Sequence, residues 1–245
     1  MLIPKKKWGQ NFLIDPNIIK KILALLNSNP KDSILEIGPG QGALTFSINA
    51  KEVTAIEIDQ DLCKVLSEKN CKNLTIINEN FLKTTLNDIY FNKVIGNLPY
   101  NISSQIIFKI LNSNNWDLAI FMVQKELADR IISREGSKQY GRISVMIQSI
   151  CDVKKEFNVS SNCFFPKPDV NSTIISLKNK KKENFNYKQL ECVVKKSFSQ
   201  RRKKIKNTLT QISQYNELKD YFNKRPEQIA IKDYIKIATT IKDLL

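Results

Sequence analysis

The sequence predicts an α/β protein with a doubly wound, mostly parallel sheet and a small all-helical domain at its C-terminal end. Short apolar runs alternate with amphipathic segments through the first half of the chain. Parallel strands need crossover helices on both faces of the sheet, so this alternation is typical of that architecture. Beyond residue 180 the apolar positions recur with helical spacing. We therefore predict two domains, residues 1–180 and residues 181–245.

The predicted strands are short apolar runs separated by turn residues. They lie at Ser33–Ile37, Val53–Ile58, Leu74–Ile77, Lys93–Ile95 and Leu118–Val123, and Val153–Val159 with Thr173–Leu177 forms an expected hairpin at one sheet edge. Helices are predicted over Asp15–Leu26, Ala43–Ala50, Asp61–Lys69, Ser103–Leu111 and Arg142–Ser149. The polar run Asn179–Asn184 is a predicted linker, followed by helical segments at Leu190–Phe198, Ile205–Ile212, Leu218–Phe222 and Ile229–Ile241.

The composition excludes several kinds of catalytic site. The 245 residues contain no histidine, which removes His-based triads, zinc-protease helices and the His-dependent zinc deaminase signature. The five cysteines form no CxxC pair, so we expect thiols in a reducing cytosol rather than a metal or disulfide framework. No secretory signal is visible at the first residues, and no run approaches the roughly 18 apolar residues of a membrane span. We expect a cytoplasmic monomer without metal or membrane.

The net charge of +15 has two interpretations. It fits a solvated surface from a lysine-rich proteome. It also fits a polyanionic partner, because each phosphate that a cation neutralises releases counterions. The charge by itself favours neither.

A glycine turn follows the first predicted strand. Gly38, Gly40 and Gly42 have the spacing GxGxG, and glycine lets the backbone approach a ligand closely. In a doubly wound sheet, ligands bind at the carboxyl ends of the strands, where the strand order reverses. Glu57 lies at the end of the second strand, where an acid can accept both ribose hydroxyls of an adenosyl ligand. Turn and acid together predict a nucleoside cofactor, but they do not separate NAD from S-adenosylmethionine.

The sequence Asn97-Leu98-Pro99-Tyr100 follows the fourth predicted strand and favours S-adenosylmethionine. The exocyclic amine of adenine is a poor nucleophile because its lone pair is delocalised into the ring. The Asn97 side-chain oxygen and the Leu98 carbonyl could accept hydrogen bonds from the two N–H groups of this amine and draw electron density to its nitrogen. Pro99 fixes the turn, and Tyr100 offers a face on which a base can stack. A sulfonium donor would need neither histidine nor metal; a purely structural turn is the alternative.

Motifs spread over nearly the whole chain resemble one family. They are Gln10–Leu13, Glu36–Gly42, Glu57–Asp59, Asn97–Tyr100, Gln124–Arg130, Tyr140–Arg142, Phe164–Pro168, Phe198–Lys203 and Arg225–Glu227. In this order the set resembles the small-subunit ribosomal RNA adenine-N6,N6-dimethyltransferases, whose loss gives kasugamycin resistance in bacteria. The resemblance implies a Rossmann-like methyltransferase that dimethylates two adjacent adenines in the hairpin near the 3′ end of 16S-type rRNA. Its partner would be that RNA within the small ribosomal subunit or its precursor.

The resemblance also implies roles for individual residues. The implied contacts to S-adenosylmethionine are Gln10, Asn11, Leu13, Gly38, Gly40, Glu57, Asn80 and Asn97. Gln10–Leu13 resembles a lid near the methionine end. Asn80 stands where the family usually has an aspartate that contacts the cofactor's adenine amine; an amide oxygen can still accept that bond without full charge. Phe164 matches the family's aromatic near the target base, with core packing as the alternative.

The predicted helical domain carries a dense basic run. Its cations are Arg201, Arg202, Lys203, Lys204 and Lys206. Such runs are usually solvated surface. An enzyme that extrudes one base from a folded RNA, however, needs contacts to offset the cost of unstacking, so we predict a phosphate clamp here. Lys5–Lys7 is a second candidate contact.

Three other functions remain open from the sequence. An erythromycin-resistance methyltransferase, which modifies one adenine of 23S-type rRNA, shares the cofactor motifs, but Ser199–Lys203 and Arg225–Glu227 favour the small-subunit enzyme. A non-catalytic nucleic-acid-binding factor on the same scaffold is disfavoured by the intact Asn97–Tyr100 motif. A DNA adenine methyltransferase is disfavoured because no module for reading duplex sequence is apparent.

Overall fold

The computed structural model describes residues 4–113, 116–180 and 185–241. The chain divides into two compact units, of which the first contains the residues up to Ala128 and Lys154–Asn179. The second contains Asp129–Val153 and the residues from Lys180 onward. This division differs from the single boundary predicted at residue 180, because the chain enters the second unit, returns to the sheet and enters again. Residues 181–184 of the predicted linker lie outside the described residues.

The regular elements follow the alternation expected from the sequence. The strands are β1 (Phe12–Leu13), β2 (Ser33–Ile37), β3 (Glu52–Glu57), β4 (Leu74–Asn78), β5 (Lys93–Asn97), β6 (Leu118–Gln124), β7 (Cys151–Val159), β8 (Phe164–Phe165) and β9 (Ser172–Asn179). The helices are α1 (Pro16–Leu26), α2 (Gln60–Ser67), α3 (Ser103–Leu111), α4 (Lys125–Ile131), α5 (Arg142–Ile150), α6 (Tyr187–Ser197), α7 (Ile205–Thr208) and α8 (Ile231–Thr240). Short 3₁₀ turns occupy several of the connections.

The main sheet has seven strands in the order β4-β3-β2-β5-β6-β9-β7. From β4 to β6 all the pairings are parallel. The chain builds outward from β2 in one direction through β3 and β4, and in the other through β5 and β6, so the strand order reverses between β2 and β5. All five residues of β2 are buried, as expected for a central strand covered on both faces. The reversal opens a crevice at the carboxyl ends of these strands, where ligands bind in this architecture.

The predicted hairpin at the sheet edge is confirmed, and its second strand, β9, lies between β6 and β7. β9 runs antiparallel to β6, with Leu118 opposite Lys178 and Gln124 opposite Ser172. β7 precedes β9 in the chain but lies outside it, at the edge. As a consequence Ser172, at the start of β9, lies beside the carboxyl end of β6.

The helix predicted over Ala43–Ala50 is wrong. The structure has a 3₁₀ turn at Thr45–Ser47, with bonds from the Ser47 and Ile48 amides to carbonyls three residues earlier. The segment is bounded by Gly42, whose φ of +83° is left-handed, and by Ile48, whose backbone is extended. These two points limit the segment to a short turn in place of the predicted eight-residue helix.

A second, two-stranded sheet joins distant parts of the chain. β1 pairs antiparallel with β8, placing Phe12 opposite Phe165 and Leu13 opposite Phe164. The Ile14 amide extends the pairing by donating to the Cys163 carbonyl at 2.9 Å. No local pattern in the sequence indicated these two-residue strands. They fix the segment before α1 against the segment before β9.

The second unit contains α5, α6 and α8 packed against one another. Buried tyrosines tie its loops together: the Tyr140 hydroxyl donates to the Ile229 carbonyl at 3.0 Å, and the Tyr234 hydroxyl donates to the Pro226 carbonyl at 2.8 Å. The Phe198 ring lies between these two rings, with centroids 6.2 Å and 5.9 Å away. Helices predicted at Ile205–Ile212 and Leu218–Phe222 are instead mainly 3₁₀ turns after a single turn of α7.

Candidate active site

A cavity of about 430 Å³ opens at the carboxyl ends of β2, β3 and β5, within the first unit. This volume suits a small organic ligand. The walls come from four stretches of chain that meet only in the fold. They are Lys7–Leu13, Glu36–Gln41 with Ala43 and Leu44, Ile56–Ile58 and Asn97–Ile102, and the lining is completed by Leu62, Glu79–Phe81 and Ile106.

The glycine turn and Glu57 form one side of the cavity. Gly38 and Gly40 have φ of +65° and +60°, in the left-handed region that favours glycine. A Cβ on Gly40 would lie 3.1 Å from the Phe12 ring, so the cradle has no room for a side chain there. The Glu57 carboxylate accepts from the Gly40 amide at 3.1 Å and from the Asp59 amide at 3.0 Å. Burial raises its pKa, and the two amides hold it in place at the cavity wall.

Glu36 begins the Glu36–Gly42 motif and lines the cavity, although the sequence predicted no role for it. It is 2% exposed, and its Oε2 atom has no hydrogen-bond partner among the described residues. Burial raises its pKa to about 7, and the neighbouring charge of Glu57 acts in the same direction. An acid within the otherwise apolar run Ser33–Ile37 was the signal available in the sequence. A buried carboxyl oxygen without a partner is suited to receive a polar or cationic part of a ligand.

The N-terminal segment is fastened over the cavity by a clamp of four side chains, Lys5, Gln10, Asp59 and Asp61. The Lys5 Nζ atom lies 2.7 Å from Asp59 Oδ1 and 2.7 Å from Asp61 Oδ2. Gln10 Nε2 donates to Asp59 Oδ2 at 3.0 Å. Although burial opposes it, bonding from Lys5 and Gln10 lowers the pKa of Asp59. The clamp holds Gln10 and the following residues against the strand end that carries Glu57.

The turn Asn97–Tyr100 forms the opposite wall. The Asn97 Nδ2 atom donates to the Asn11 carbonyl at 2.8 Å, which leaves the amide oxygen as the atom able to accept from a ligand. The Leu98 amide donates to the Met122 carbonyl at 3.0 Å, and the Ser103 hydroxyl donates to the Pro99 carbonyl at 2.7 Å.

The position of the turn also depends on a glycine and a tyrosine hydroxyl. A Cβ on Gly96 would lie 2.9 Å from the Ile37 carbonyl oxygen, so only glycine lets β5 approach β2 this closely just before Asn97. The Tyr100 hydroxyl lies 2.7 Å from Ser172 Oγ, and burial raises the pKa of Tyr100. The ring is therefore held neutral and fixed in orientation.

The structure brings the predicted cofactor contacts together. All of them line the cavity, as do Leu98, Pro99 and Tyr100. The Asn80 amide oxygen accepts from the Leu82 amide at 3.0 Å, so part of its accepting capacity is used within its own turn.

Phe164 is the exception among the predicted catalytic residues. It is 3% exposed, packs in the core cluster with Leu13 and Val159, and does not line the cavity. This placement agrees with the core-packing alternative, and a role near the target base stays a prediction.

The basic run that was predicted to bind RNA phosphates lies in the second unit. Arg202, Lys203, Lys204 and Lys206 are exposed. Arg201 is partly buried and directed inward: its Nη2 atom donates to the Ser137 carbonyl at 3.3 Å, and its Nε atom lies 3.8 Å from Glu227 Oε2. Arg201 therefore contributes to the packing of this unit, and the four exposed residues form its basic surface.

Within residues 4–113, 116–180 and 185–241, no group of acidic and cysteine side chains is arranged to hold a metal ion. Over the same residues, no helix has the length and apolar character needed to cross a membrane.

Comparison with known proteins assigns the family. Residues 2–242 match the family described as "Ribosomal RNA adenine dimethylase". A relative from Malacoplasma penetrans, named ribosomal RNA small subunit methyltransferase A, is 44% identical, and the match covers 98% of this chain and 92% of the relative. A protein of the same name from Borreliella burgdorferi is 40% identical, with 98% and 89% covered.

Solved structures show the same likeness. A dimethyladenosine transferase from Plasmodium falciparum has a TM-score of 0.82 and 27% identity, covering 92% of this chain and 95% of that chain. The 23S rRNA methyltransferase ErmE has a TM-score of 0.72 and 25% identity, covering 94% and 100%. The predicted Rossmann-like methyltransferase fold is thus confirmed. The chain belongs to the ribosomal RNA adenine dimethylase family.

Proposed function

We propose that this protein transfers methyl groups from S-adenosylmethionine to N6 of two adjacent adenines in the 3′-terminal hairpin of 16S-type rRNA, giving N6,N6-dimethyladenosine. It would act in the cytoplasm on the small ribosomal subunit or its precursor. The observation that carries the proposal is the Asn97–Tyr100 turn at the cavity wall, where the Asn97 side-chain nitrogen donates to the Asn11 carbonyl and the amide oxygen is left to accept from a ligand. The relatives named small subunit methyltransferase A support this choice of RNA.

The cavity residues fit S-adenosylmethionine, which is the methyl donor of this enzyme. Bound there, the donor supplies a methyl group activated by a sulfonium. Glu57 is placed to accept hydrogen bonds from ribose hydroxyls. Gly38 and Gly40 have no side chains, so the ligand can lie close to the protein backbone there. The Glu36 Oε2 atom, which has no hydrogen-bond partner among the described residues, suits a ligand that carries positive charge. Gln10 is held over the cavity by Asp59, and Asn11 by the bond from Asn97 to its carbonyl. Both residues would exclude water from the reacting atoms.

The reaction needs orientation more than acid–base chemistry. The Asn97 oxygen and the Leu98 carbonyl would accept the two N6 hydrogens of an everted adenine and direct its lone pair along the line of transfer. Tyr100, fixed by Ser172, offers the ring on which the base stacks. The methylated nitrogen is cationic and loses a proton readily to water, so no side chain has to act as a base. For the second transfer, the N6-methyl adenine would turn or rebind with one hydrogen fewer.

The test of this function is methyl transfer from labelled donor to two RNA substrates. Undermethylated 30S particles should accept label, which mass analysis should locate as N6,N6-dimethyladenosine in the 3′-terminal hairpin. Protein-free 23S RNA is the matched alternative, because ErmE shares the fold. Label in 23S RNA alone would assign the other rRNA class, and RNA binding without any transfer would make the protein a non-catalytic binding factor.

The exposed basic surface of the second unit would hold the RNA by its phosphates. We expect the triple substitution of Arg202, Lys203 and Lys206 by alanine to weaken RNA binding about tenfold at physiological salt. In a plot of log affinity against log salt concentration, the magnitude of the slope should fall by about two. Each phosphate contact contributes about 0.7–0.9 to that slope.

The control for this variant is triple alanine substitution of Lys64, Lys69 and Lys72, which are exposed in the first unit and remove the same charge. Filter binding from 50 to about 300 mM salt compares the two slopes. Equal slopes for the two variants would show that the basic surface has no specific part in holding RNA.

A further inference from the structure

The β1–β8 pair has two chemically different faces. Side chains alternate along a strand, and residues opposite each other in a pair share a face. Leu13 and Phe164 therefore point to one side, where both are buried at 6% and 3% exposure. Phe12, Ile14 and Phe165 share the other side, which we call the outer face. Ile14 is 55% exposed and Phe165 is 46% exposed.

The outer face is continuous with the donor cavity. Phe12 lines the cavity, and its ring lies over Gly40 of the glycine turn. Its cross-strand partner Phe165 stands beside it, outside the cavity. A substrate that places one group in the cavity would therefore bring its neighbouring group against Phe165.

The outer face has charges of both signs nearby: Asp15 and Asp169 lie next to it, and so do lysines. Lys167, two residues after Phe165, is exposed, and Lys7 lies at the cavity wall next to the N-terminal segment. The protein as a whole carries +15. An apolar ring with lysines nearby matches a chain whose flat bases alternate with phosphates. The face is formed by two-residue strands, which is small for a protein interface but sufficient for one base.

We propose that the outer face binds an unpaired base that flanks the methylated adenine in the RNA, with Phe165 as the ring on which that base stacks. The inference rests on the proposed function and adds a positioning residue to it. Phe165 would hold the RNA strand in register so that the next base enters the cavity between Asn97 and Tyr100. Phe164, which the family resemblance places near the base, supports this face from its buried side.

The test compares Phe165→Ala with Phe165→Trp in steady-state methyl transfer to undermethylated 30S particles. Loss of one base–aromatic stack should raise KM for the particle about tenfold while leaving the donor's Kd within about twofold. The tryptophan variant should restore KM. Val170→Ala is the control, because Val170 is 43% exposed on the same loop but outside the pair.

A second readout reports stacking directly. In an RNA hairpin with 2-aminopurine beside the target adenine, binding of the wild-type protein should quench the fluorescence, and Phe165→Ala should reduce that quenching. Wild-type KM and quenching in Phe165→Ala would overturn the inference while wild-type methyl transfer leaves the proposed function intact. If the wild-type protein transfers no methyl group to 30S particles, the proposed function itself fails. Equal KM changes in Phe165→Ala and Val170→Ala would also overturn the stacking role.

Discussion

Replacing Asn97 by alanine should lower the turnover number for methyl transfer by on the order of 10²- to 10³-fold. The variant removes the oxygen that would accept an N6 hydrogen, and with it the alignment of the amine. It also removes the bond from Nδ2 to the Asn11 carbonyl, so a modest rise in the donor's Kd should accompany it. We expect the larger effect on the turnover number because the Asn97 oxygen would contact the substrate, whereas the Asn97 nitrogen contacts the Gln10–Leu13 segment.

Single-turnover transfer with saturating donor, together with donor binding by calorimetry, separates these two effects. Asn101→Ala is the matched control, since Asn101 lines the same cavity two residues beyond Pro99 and has no assigned contact to the base. Asn97→Asp keeps an accepting oxygen but loses the donor to Asn11, so it should show the weaker donor binding with a smaller loss of turnover. Full turnover in Asn97→Ala would remove Asn97 from the mechanism.

Glu36 should make the protein less stable as pH rises toward neutrality in the absence of donor. Burial raises the pKa of this carboxyl from 4.5 to about 7 in the folded protein. Between these values the folded chain keeps the proton that the unfolded chain releases, so the free energy of unfolding falls with rising pH and levels off above about 7. At about 1.4 kcal/mol per pH unit, the total loss is about 3 kcal/mol.

The check is urea unfolding of the wild type and Glu36→Gln at several pH values between about 5 and 8. The amide cannot ionise, so the stability of the variant relative to wild type should increase across this range. Glu57, whose pKa is also raised, adds a slope in the same direction to both proteins; most of it cancels in the difference, and the part that comes from its interaction with the Glu36 charge is lost in the variant. Glu68→Gln, at the exposed end of α2, is the control. A difference that stays constant with pH would contradict a raised pKa for Glu36.

The central sheet and several residues that line the cavity were predictable because their signals are local. A strand buried on both faces must be an apolar run, as at Ser33–Ile37, and its end must carry the ligand-binding turn. Gly38 and Gly40 follow a recognisable strand, and Glu57 ends the next one. Their convergence on one cavity then follows from parallel pairing alone.

The parts that could not be predicted depend on contacts between distant residues. The face of Phe164 is set by its pairing with Leu13, about which neither local sequence carries information. Arg201 resembles its basic neighbours in sequence, and only the positions of Ser137 and Glu227 show that it is directed inward. The grouping of Asp129–Val153 with the C-terminal residues likewise depends on packing of α5 against α6 and α8.

The insertion of β9 between β6 and β7 has a consequence for biosynthesis. Ser172 at its first position anchors the hydroxyl of Tyr100, and Phe165, in the connection from β7 to β9, completes the pair with Phe12. A nascent chain that has emerged only through β6 already contains the whole glycine turn and the Asn97–Tyr100 segment, yet it lacks both of these supports. The catalytic pocket therefore matures late in translation, after its own residues have long left the ribosome.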